Sequence, residues 1–129
     1  MTTAYVDASA ALKLVFDEPE TSALRDHLSS IRADLVSSIL LETEMRRAAH
    51  RSPELAQGDV TELLASIALI DATPSTFRAA GRLPGEHLRS LDALHLATAT
   101  AVGADEILTY DRRLAASAEF LGLIVVAPR

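Results

Sequence analysis

The sequence predicts one α/β domain in which a parallel sheet of about five strands lies between two layers of helices. Its length of 129 residues suits a single hydrophobic core and leaves no room for a second folded module. Short β-rich runs also alternate along the chain with segments of helical periodicity. Strands that alternate with helices imply a parallel sheet covered on both faces. We therefore expect a three-layer α/β/α sandwich over residues 1–129.

The predicted strands are short, apolar and rich in β-branched residues, and one of them is weaker than the others. They cover residues 3–6, 34–37, 106–109 and 123–126, with residues 68–70 as the weaker fifth strand.

Helical periodicity predicts seven helices, several of which carry start or stop signals. A hydroxyl residue followed by proline favours a helix start, and glycine favours a helix end. The predicted helices cover residues 8–16, 20–30, 38–51, 53–66, 74–82, 91–102 and 112–121. The start signals are Ser52-Pro53 and Thr73-Pro74, and the stop signals are Gly103 and Gly122.

Composition narrows the chemistry that this domain could perform. The chain has no cysteine, which excludes disulfides, thiolate metal sites and a cysteine nucleophile. Twelve basic residues against eighteen acidic ones give a net charge of −6, which argues against nonspecific nucleic-acid binding. All but one of the basic residues are arginine, whose planar guanidinium suits phosphate, so local basic ridges remain compatible with this charge.

No apolar stretch approaches the ~20 residues of a membrane span, and we expect a cytoplasmic protein.

Three aspartates occupy positions where open parallel sheets bind ligands. Asp7 directly follows the first predicted strand, and Asp111 closely follows the strand at 106–109. Either residue alone is also explained as a helix N-cap. Asp92 opens a predicted helix, but Ser90 is an equally good cap, which leaves the Asp92 side chain free for another role.

A fourth carboxylate lies on the apolar stripe of the helix predicted at 38–51. Glu44 has apolar residues three and four positions away, whereas Glu42 is placed to form an ion pair with Arg46. A carboxylate on an apolar face must be paired, protonated or bound to a cation. Arg47, three positions further on, is the simplest structural partner for Glu44.

These four acids together predict a divalent metal site. Four anions cannot share a pocket without countercharge, and Mg²⁺ and Mn²⁺ are the cations that accept an all-oxygen ligand set. A metal held in this way suits phosphodiester hydrolysis, because it activates water and neutralises charge on the leaving oxygen.

Four motifs occur in an order and spacing that match a known family. They are YVDASA at residues 5–10 with Lys13 shortly after, SS at 37–38 with EMRRA at 44–48, LDALHLA at 91–97, and LTYDRRL at 108–114. On these motifs the sequence resembles, over essentially its whole length, the PIN-domain endoribonucleases, and in particular the VapC toxins of VapBC type II toxin–antitoxin pairs.

The resemblance implies specific roles for several residues. It implies that Asp7, Glu44, Asp92 and Asp111 are the catalytic, metal-binding acids, and that Ser9 and Thr109 orient carboxylates or waters around them. It also implies an RNA substrate, a homodimer, and inhibition by a VapB-type antitoxin that inserts an arginine into the acidic site.

Several side chains near these acids have two interpretations. His95 is either a hydrogen-bonded core histidine, which burial statistics favour, or a ligand of metal or phosphate. Four arginines near the acids either hold RNA phosphates or belong to a solvated surface with ordinary ion pairs. These RNA-contact candidates are Arg46, Arg47, Arg112 and Arg113.

Two other functions compete with the nuclease. The fold could bind RNA or an antitoxin while being catalytically silent, although an intact set of acids would then only destabilise it. A receiver-like signalling domain could use Asp7 for Mg²⁺ and Asp71 as phosphoacceptor. The only lysine, Lys13, lies in the first predicted helix, which leaves no suitable cation for an acyl phosphate.

Overall fold

A computed structural model describes residues 2–129, which form a five-stranded sheet and seven helices. The elements follow one another as β1 (Thr2–Val6), α1 (Ala8–Val15), α2 (Thr21–Ile31), β2 (Ala33–Ser38), α3 (Leu40–Arg51), α4 (Gln57–Leu64), β3 (Ala68–Ile70), α5 (Pro74–Gly81), α6 (Ser90–Ala101), β4 (Glu106–Leu108), α7 (Arg112–Phe120) and β5 (Val125–Val126).

The sheet is parallel throughout, with the strand order β3-β2-β1-β4-β5. The central strand β1 is buried on both faces, as expected for a covered parallel sheet. Successive side chains alternate between the faces, so Ala4 and Val6 contribute to one core and Tyr5 to the other. The strand alternation in the sequence therefore predicts the sheet correctly.

Helices cover both faces, and the predicted three-layer α/β/α architecture is confirmed. Buried residues of α1 to α4 pack on the face of Ala4 and Val6, whereas α6 and α7 pack on the face of Tyr5. Helix α5 packs against α6, which is buried from Ala93 to Ala99 and is therefore apolar around most of its circumference.

Most of the predicted helix boundaries agree with the structure. Thr73 caps α5 in a reciprocal capping box with Thr76, and Pro74 is the first helical residue. Gly103 and Gly122 follow helix ends with φ of +65° and +83°, a backbone conformation that favours glycine.

The helix predicted at 53–66 is wrong at its start, since α4 begins at Gln57. The Ser52 hydroxyl donates to the Glu54 carboxylate at 2.7 Å and does not cap a helix. The intervening turn instead places Leu55, which is 4% exposed, in the core. The helix predicted from Ser38 begins at Leu40, because Ser38 still pairs with the edge strand β3.

Among residues 2–129, every helix is too short or too polar to cross a bilayer.

Candidate active site at the carboxyl end of the sheet

The strand order creates a crevice between β1 and β4. From β1 the chain continues to β2 and β3 on one side of the sheet, and later to β4 and β5 on the other. In open α/β sheets, ligands bind where the strand order reverses in this way, beyond the carboxyl ends of the strands. Asp7 directly follows β1, and Asp111 lies three residues after β4. The topology thus brings these two predicted site residues to one crevice.

Asp7 is a buried carboxylate whose hydrogen-bond donors within residues 2–129 are all neutral groups. It is 4% exposed and accepts hydrogen bonds from the backbone N–H of Ala10 at 2.9 Å and from the hydroxyls of Ser9 and Thr109. The bond to the Ala10 N–H makes Asp7 the N-cap of α1, as the simpler interpretation expects. Burial raises the pKa of Asp7, and these hydrogen bonds only partly oppose that rise.

The hydroxyls of Ser9 and Thr109 connect Asp7 to the loop after β4. The N–H of Tyr110 donates to Ser9 Oγ at 2.8 Å, and the N–H of Asp111 donates to Thr109 Oγ1 at 3.0 Å. Thr109 Oγ1 in turn donates to Asp7 Oδ2 at 2.5 Å, and Ser9 Oγ donates to the same carboxylate at 2.7 Å. Both hydroxyls therefore hold a fixed orientation between two elements of the crevice.

Asp111 lies close enough to Asp92 for its charge to affect the ionisation of Asp92. Burial, and secondly the charge of Asp111, raises the pKa of Asp92. Asp111 is exposed and caps α7 by accepting from the N–H groups of Arg113 and Leu114. The expectation that Ser90 caps the helix of Asp92 is wrong: α6 begins at Ser90, and its cap residue Arg89 makes no side-chain capping bond.

Glu44 has a partner that differs from the one expected. The Glu44 side chain is 28% exposed, and its Oε1 lies 2.7 Å from His95 Nε2. The expected partner, Arg47, is exposed and forms no ion pair within residues 2–129. Glu42 and Arg46 form the predicted ion pair at 2.6 Å. The spacing along α3 therefore predicts the Glu42–Arg46 pair correctly but does not reveal His95, which lies 51 positions from Glu44 in the sequence.

His95 is a buried, hydrogen-bonded histidine, in agreement with the interpretation that burial statistics favour. It is 3% exposed, and its Nδ1 lies 2.6 Å from the hydroxyl of Tyr5. Sequence reasoning did not identify Tyr5, although a buried tyrosine generally needs a partner for its hydroxyl, which was a usable signal.

The basic side chains that the structure describes near the crevice form no ion pair with its three aspartates. Lys13 lies 3.2 Å from both Glu18 and Glu20, with its ammonium 4.7 Å from the centre of the Tyr110 ring. Within residues 2–129, no cationic side chain pairs with any of the three aspartates. These three aspartates are Asp7, Asp92 and Asp111.

This donor set fits a hard divalent cation. No three carboxylate or imidazole groups of residues 2–129 are already gathered in a metal-binding arrangement. The chemistry of the groups is nevertheless suitable, because they are oxygen donors, burial raises the pKa of two of them, and no salt bridge within residues 2–129 involves any of the three aspartates.

The arginine candidates differ in how freely they could contact a ligand. Arg112 and Arg113 are exposed in the first turn of α7, directly after Asp111. Arg46 is held by Glu42 and by the backbone carbonyl of Gln57 at 2.9 Å. The two arginines of α7 are therefore better placed than Arg46 to meet a phosphate at the crevice.

The sheet order disfavours the receiver-like alternative. Asp71 follows the edge strand β3, whereas Asp7 follows the central strand β1, and β2 lies between them. With neighbouring strands ~4.8 Å apart, the two aspartates end strands about 10 Å apart and are poorly placed to share one metal site.

Comparisons with known proteins agree with this architecture. The family model of the PIN domain matches residues 4–119. Ribonuclease VapC46 of Mycobacterium tuberculosis (strain ATCC 25618 / H37Rv) is 40% identical over 130 residues, which cover 99% of both chains. Ribonuclease VapC35 from the same strain is 38% identical, with 96% of each chain covered. Ribonuclease VapC47 of Mycobacterium tuberculosis (strain CDC 1551 / Oshkosh) is 32% identical at the same coverage.

A solved structure shares the fold at low sequence identity. The crystal structure of VapBC2 from Rickettsia felis, bound to a DNA fragment from their promoter, contains a chain with a TM-score of 0.74 and 14% identity. The match covers 99% of this chain and 100% of the other. It supports the arrangement of helices and strands described above.

Proposed function

The chain belongs to the PIN-domain family, among the VapC ribonucleases, and on that premise we propose that it is a Mg²⁺- or Mn²⁺-dependent endoribonuclease. We further propose that it acts as the toxin of a type II toxin–antitoxin pair. The observation that carries the proposal is that Asp7 and Asp111 follow the two strands that flank the β1/β4 crevice, that Asp92 lies near Asp111, and that none of the three has a cationic partner within residues 2–129.

Four carboxylates would hold the metal, namely those of Asp7, Glu44, Asp92 and Asp111. A divalent ion bound there supplies a water of lowered pKa and neutralises charge on the leaving oxygen. In the overall reaction, water oxygen bonds to phosphorus, the bond from phosphorus to the ribose oxygen breaks, and a proton reaches that oxygen. The chain's own contribution is to fix the acids and to position the RNA.

Neighbouring residues would assist in two ways. Ser9 and Thr109 donate to Asp7, which keeps its carboxylate oriented when the metal is bound. Arg112 and Arg113 would bind phosphates that flank the scissile bond, with Arg46 and Arg47 as further candidates. Removing either arginine of α7 is therefore expected to weaken RNA binding more than it slows the bond-breaking step.

The proposed partners follow from membership of the family, and two of them also suit the site. RNA is the substrate, and a VapB-type antitoxin would silence the enzyme, because an arginine inserted into the crevice would supply the missing countercharge. A second copy of the chain would complete a homodimer. We propose that the protein works in the cytoplasm, where its RNA substrate is made and used.

The direct test is metal-dependent cleavage. Purified protein is incubated with total RNA in Mg²⁺, in Mn²⁺ and in EDTA, and the new 5′ ends are mapped. We expect cleavage only with metal, and none by Asp7→Asn with unchanged circular dichroism. Equal cleavage by wild type and variant would contradict the proposal, and RNA binding without cleavage would favour the catalytically silent alternative.

A test in cells examines the toxin role separately. Expression of the chain alone should arrest growth, whereas co-expression with the small partner encoded beside it should restore growth. Asp7→Asn provides the matched control and should not be toxic. Unimpaired growth with soluble, nuclease-active protein would contradict the toxin role while leaving the nuclease proposal intact.

A further inference from the structure

A buried chain of hydrogen bonds connects the sheet to Glu44. The N–H of Ser38 in β2 donates to the Tyr5 hydroxyl in β1 at 3.1 Å, and that hydroxyl lies 2.6 Å from His95 Nδ1 in α6. The other imidazole nitrogen, Nε2, lies 2.7 Å from Glu44 Oε1 in α3. Four secondary-structure elements thus contribute to the placement of one carboxylate.

One placement of the hydrogens gives each of these bonds a donor and an acceptor. An ionised carboxylate has no hydrogen to donate, so His95 Nε2 carries the hydrogen and donates it to Glu44. The Tyr5 hydroxyl accepts the Ser38 N–H and still has its own hydrogen, which it donates to His95 Nδ1. The Tyr5 hydroxyl and both imidazole nitrogens of His95 then have hydrogen-bond partners, which matters because Tyr5 and His95 are 1% and 3% exposed.

The hydrogen bond to His95 restricts the conformation of the Glu44 side chain, whereas a surface glutamate remains free to change rotamer. Its Oε1 is engaged by His95, whereas its Oε2 accepts no hydrogen bond from residues 2–129. The His95 imidazole is hydrogen bonded to the Tyr5 hydroxyl. It also packs edge-on against the Tyr5 ring, with the two ring centroids 5.8 Å apart. A long side chain that is already ordered loses less conformational entropy when it binds a ligand.

A second histidine–glutamate pair in the same chain provides a contrast. His27 Nε2 lies 2.6 Å from Glu106 Oε1, but Glu106 begins β4 and so lies at the opposite end of the sheet from the crevice. No further side chain of residues 2–129 hydrogen bonds the His27 ring. The two pairs have similar contacts, and only the His95 pair leads into the candidate site.

We propose that His95 and Tyr5 are positioning residues that hold the Glu44 carboxylate ready for the metal, with His95 acting directly and Tyr5 acting through His95. This inference rests on the proposed nuclease function, because it gives Glu44 the role of a metal ligand. Neither His95 nor Tyr5 touches the metal or the RNA in this role. Partners that orient metal ligands typically contribute about 10-fold to 100-fold in metal affinity or activity.

The first experiment measures Mn²⁺ affinity by calorimetry for wild type, His95→Leu, His95→Gln and the matched control His27→Leu. We expect His95→Leu to weaken Mn²⁺ binding about 10-fold or more. His95→Gln should recover part of the loss, because its amide donates near the position of Nε2. His27→Leu should bind Mn²⁺ like wild type, even if its melting temperature falls as much as that of His95→Leu. Unchanged affinity in folded His95→Leu would overturn the proposal.

The second experiment asks whether His95 acts through Glu44. Mn²⁺ affinity and RNA cleavage are measured for Glu44→Gln alone and combined with His95→Leu. We expect the second change to add less than about 2-fold once Glu44 has been replaced, as for residues that work as one unit. When Glu44 is present, His95→Leu should lower kcat for RNA cleavage and leave KM for RNA unchanged. Independent, multiplicative effects of the two substitutions would overturn the proposal.

Tyr5→Phe supplies a test that does not depend on replacing the histidine. The variant keeps the imidazole and the packing of the ring but removes the hydroxyl, so Mn²⁺ affinity should fall less than in His95→Leu. In metal-free wild type, the His95 Nε2–H should give a ¹H–¹⁵N signal protected from solvent exchange, and Tyr5→Phe should broaden it. A rapidly exchanging signal in wild type would overturn the proposal.

These readouts separate the two proposals. Wild type that neither binds Mn²⁺ nor cleaves RNA would contradict the proposed function, and with it the role of Glu44 as a ligand. Normal metal binding and cleavage in wild type, with no change in His95→Leu, would contradict only the positioning role. Weakened binding in His95→Leu but not in His27→Leu would support both proposals.

Discussion

The two ends of the parallel sheet differ in how their carboxylates are compensated. At the amino end of β4, Glu106 lies 2.6 Å from His27, and the neighbouring Asp105 accepts the N–H of Thr3 at 2.8 Å. At the carboxyl end, the hydrogen bonds that Asp7 accepts from residues 2–129 all come from neutral groups, and Asp111 caps a helix through backbone N–H groups. Among residues 2–129, Glu106 thus has a basic side-chain partner at the amino end, whereas Asp7, Asp92 and Asp111 have none, and Glu44 with His95 is the one paired carboxylate of the candidate site.

This difference indicates which acids serve the fold and which require something from outside. A buried anion is costly unless it is paired or hydrogen bonded, and the charge repulsion between close acids adds to that cost. Burial raises the pKa of both Asp7 and Asp92, which shows that the crevice destabilises their ionised forms. A bound divalent cation would remove this destabilisation, and the following substitutions test the contrast between the two ends.

The largest effect is expected for Asp7→Asn compared with Asp105→Asn. Both substitutions remove one negative charge, but only Asp7 lies in the crevice. Cleavage of RNA by Asp7→Asn should fall at least about 1000-fold, which corresponds to about 4 kcal/mol of transition-state stabilisation. Asp105→Asn should cleave like wild type, because the amide oxygen still accepts the Thr3 N–H. Equal losses in both variants would show that the two ends do not differ in function.

A smaller but still large difference is expected between two glutamates of the same helix. Glu44→Gln removes a carboxylate charge from the candidate site, whereas Glu42→Gln only weakens an ion pair with Arg46 whose members are both about a third exposed. We expect about 100-fold slower cleavage for Glu44→Gln and less than about 2-fold for Glu42→Gln, since exposed pairs contribute little. Single-turnover rates at saturating Mn²⁺ provide the measurement, and the reverse order would show that the assignment of helix faces is wrong.

The hydroxyl of Thr109 should contribute to stability as well as to activity. Thr109→Val keeps the shape of the side chain but leaves Asp7 Oδ2 without one of its donors in a buried site. We expect a loss of about 1–3 kcal/mol in the free energy of unfolding, measured by urea denaturation. Thr109→Ser retains a hydroxyl and should lose much less. Wild-type stability in Thr109→Val would indicate that Asp7 does not depend on this donor.

Sequence reasoning predicted most of the fold because its signals are local. The strands, the capping box at Thr73 and the glycine helix ends all depend on residues close together in the chain. The Ser52-Pro53 signal failed because burial of Leu55 outweighed a local start preference.

In the candidate site, too, local features could be predicted from the sequence and long-range contacts could not. Asp7, Asp92 and Asp111 could be placed from strand ends and helix starts, which are local features. The partner of Glu44 could not be identified, because His95 reaches it through the packing of α6 against the rest of the domain. Tyr5 was missed for the same reason: its hydroxyl partner lies 90 positions away.

The smallest expected effect is on stability in EDTA, where Asp92→Asn should be slightly more stable than wild type. The folded-state pKa of Asp92 is raised, so its ionised form destabilises the folded protein, and the variant removes that penalty at pH 7.

The size of this gain is limited, because Asp92 is partly solvated and its charge also interacts favourably with the start of α6. We expect the free energy of unfolding to rise by less than about 1 kcal/mol. As the pH falls below the ordinary aspartate pKa of about 3.9, Asp92 is protonated in both states and the gain disappears. Because bound metal stabilises wild type more, Mn²⁺ should reverse the order of the two proteins. Urea unfolding of both proteins across this pH range checks the sign, and a variant less stable than wild type in EDTA at pH 7 would show that the crevice already compensates Asp92.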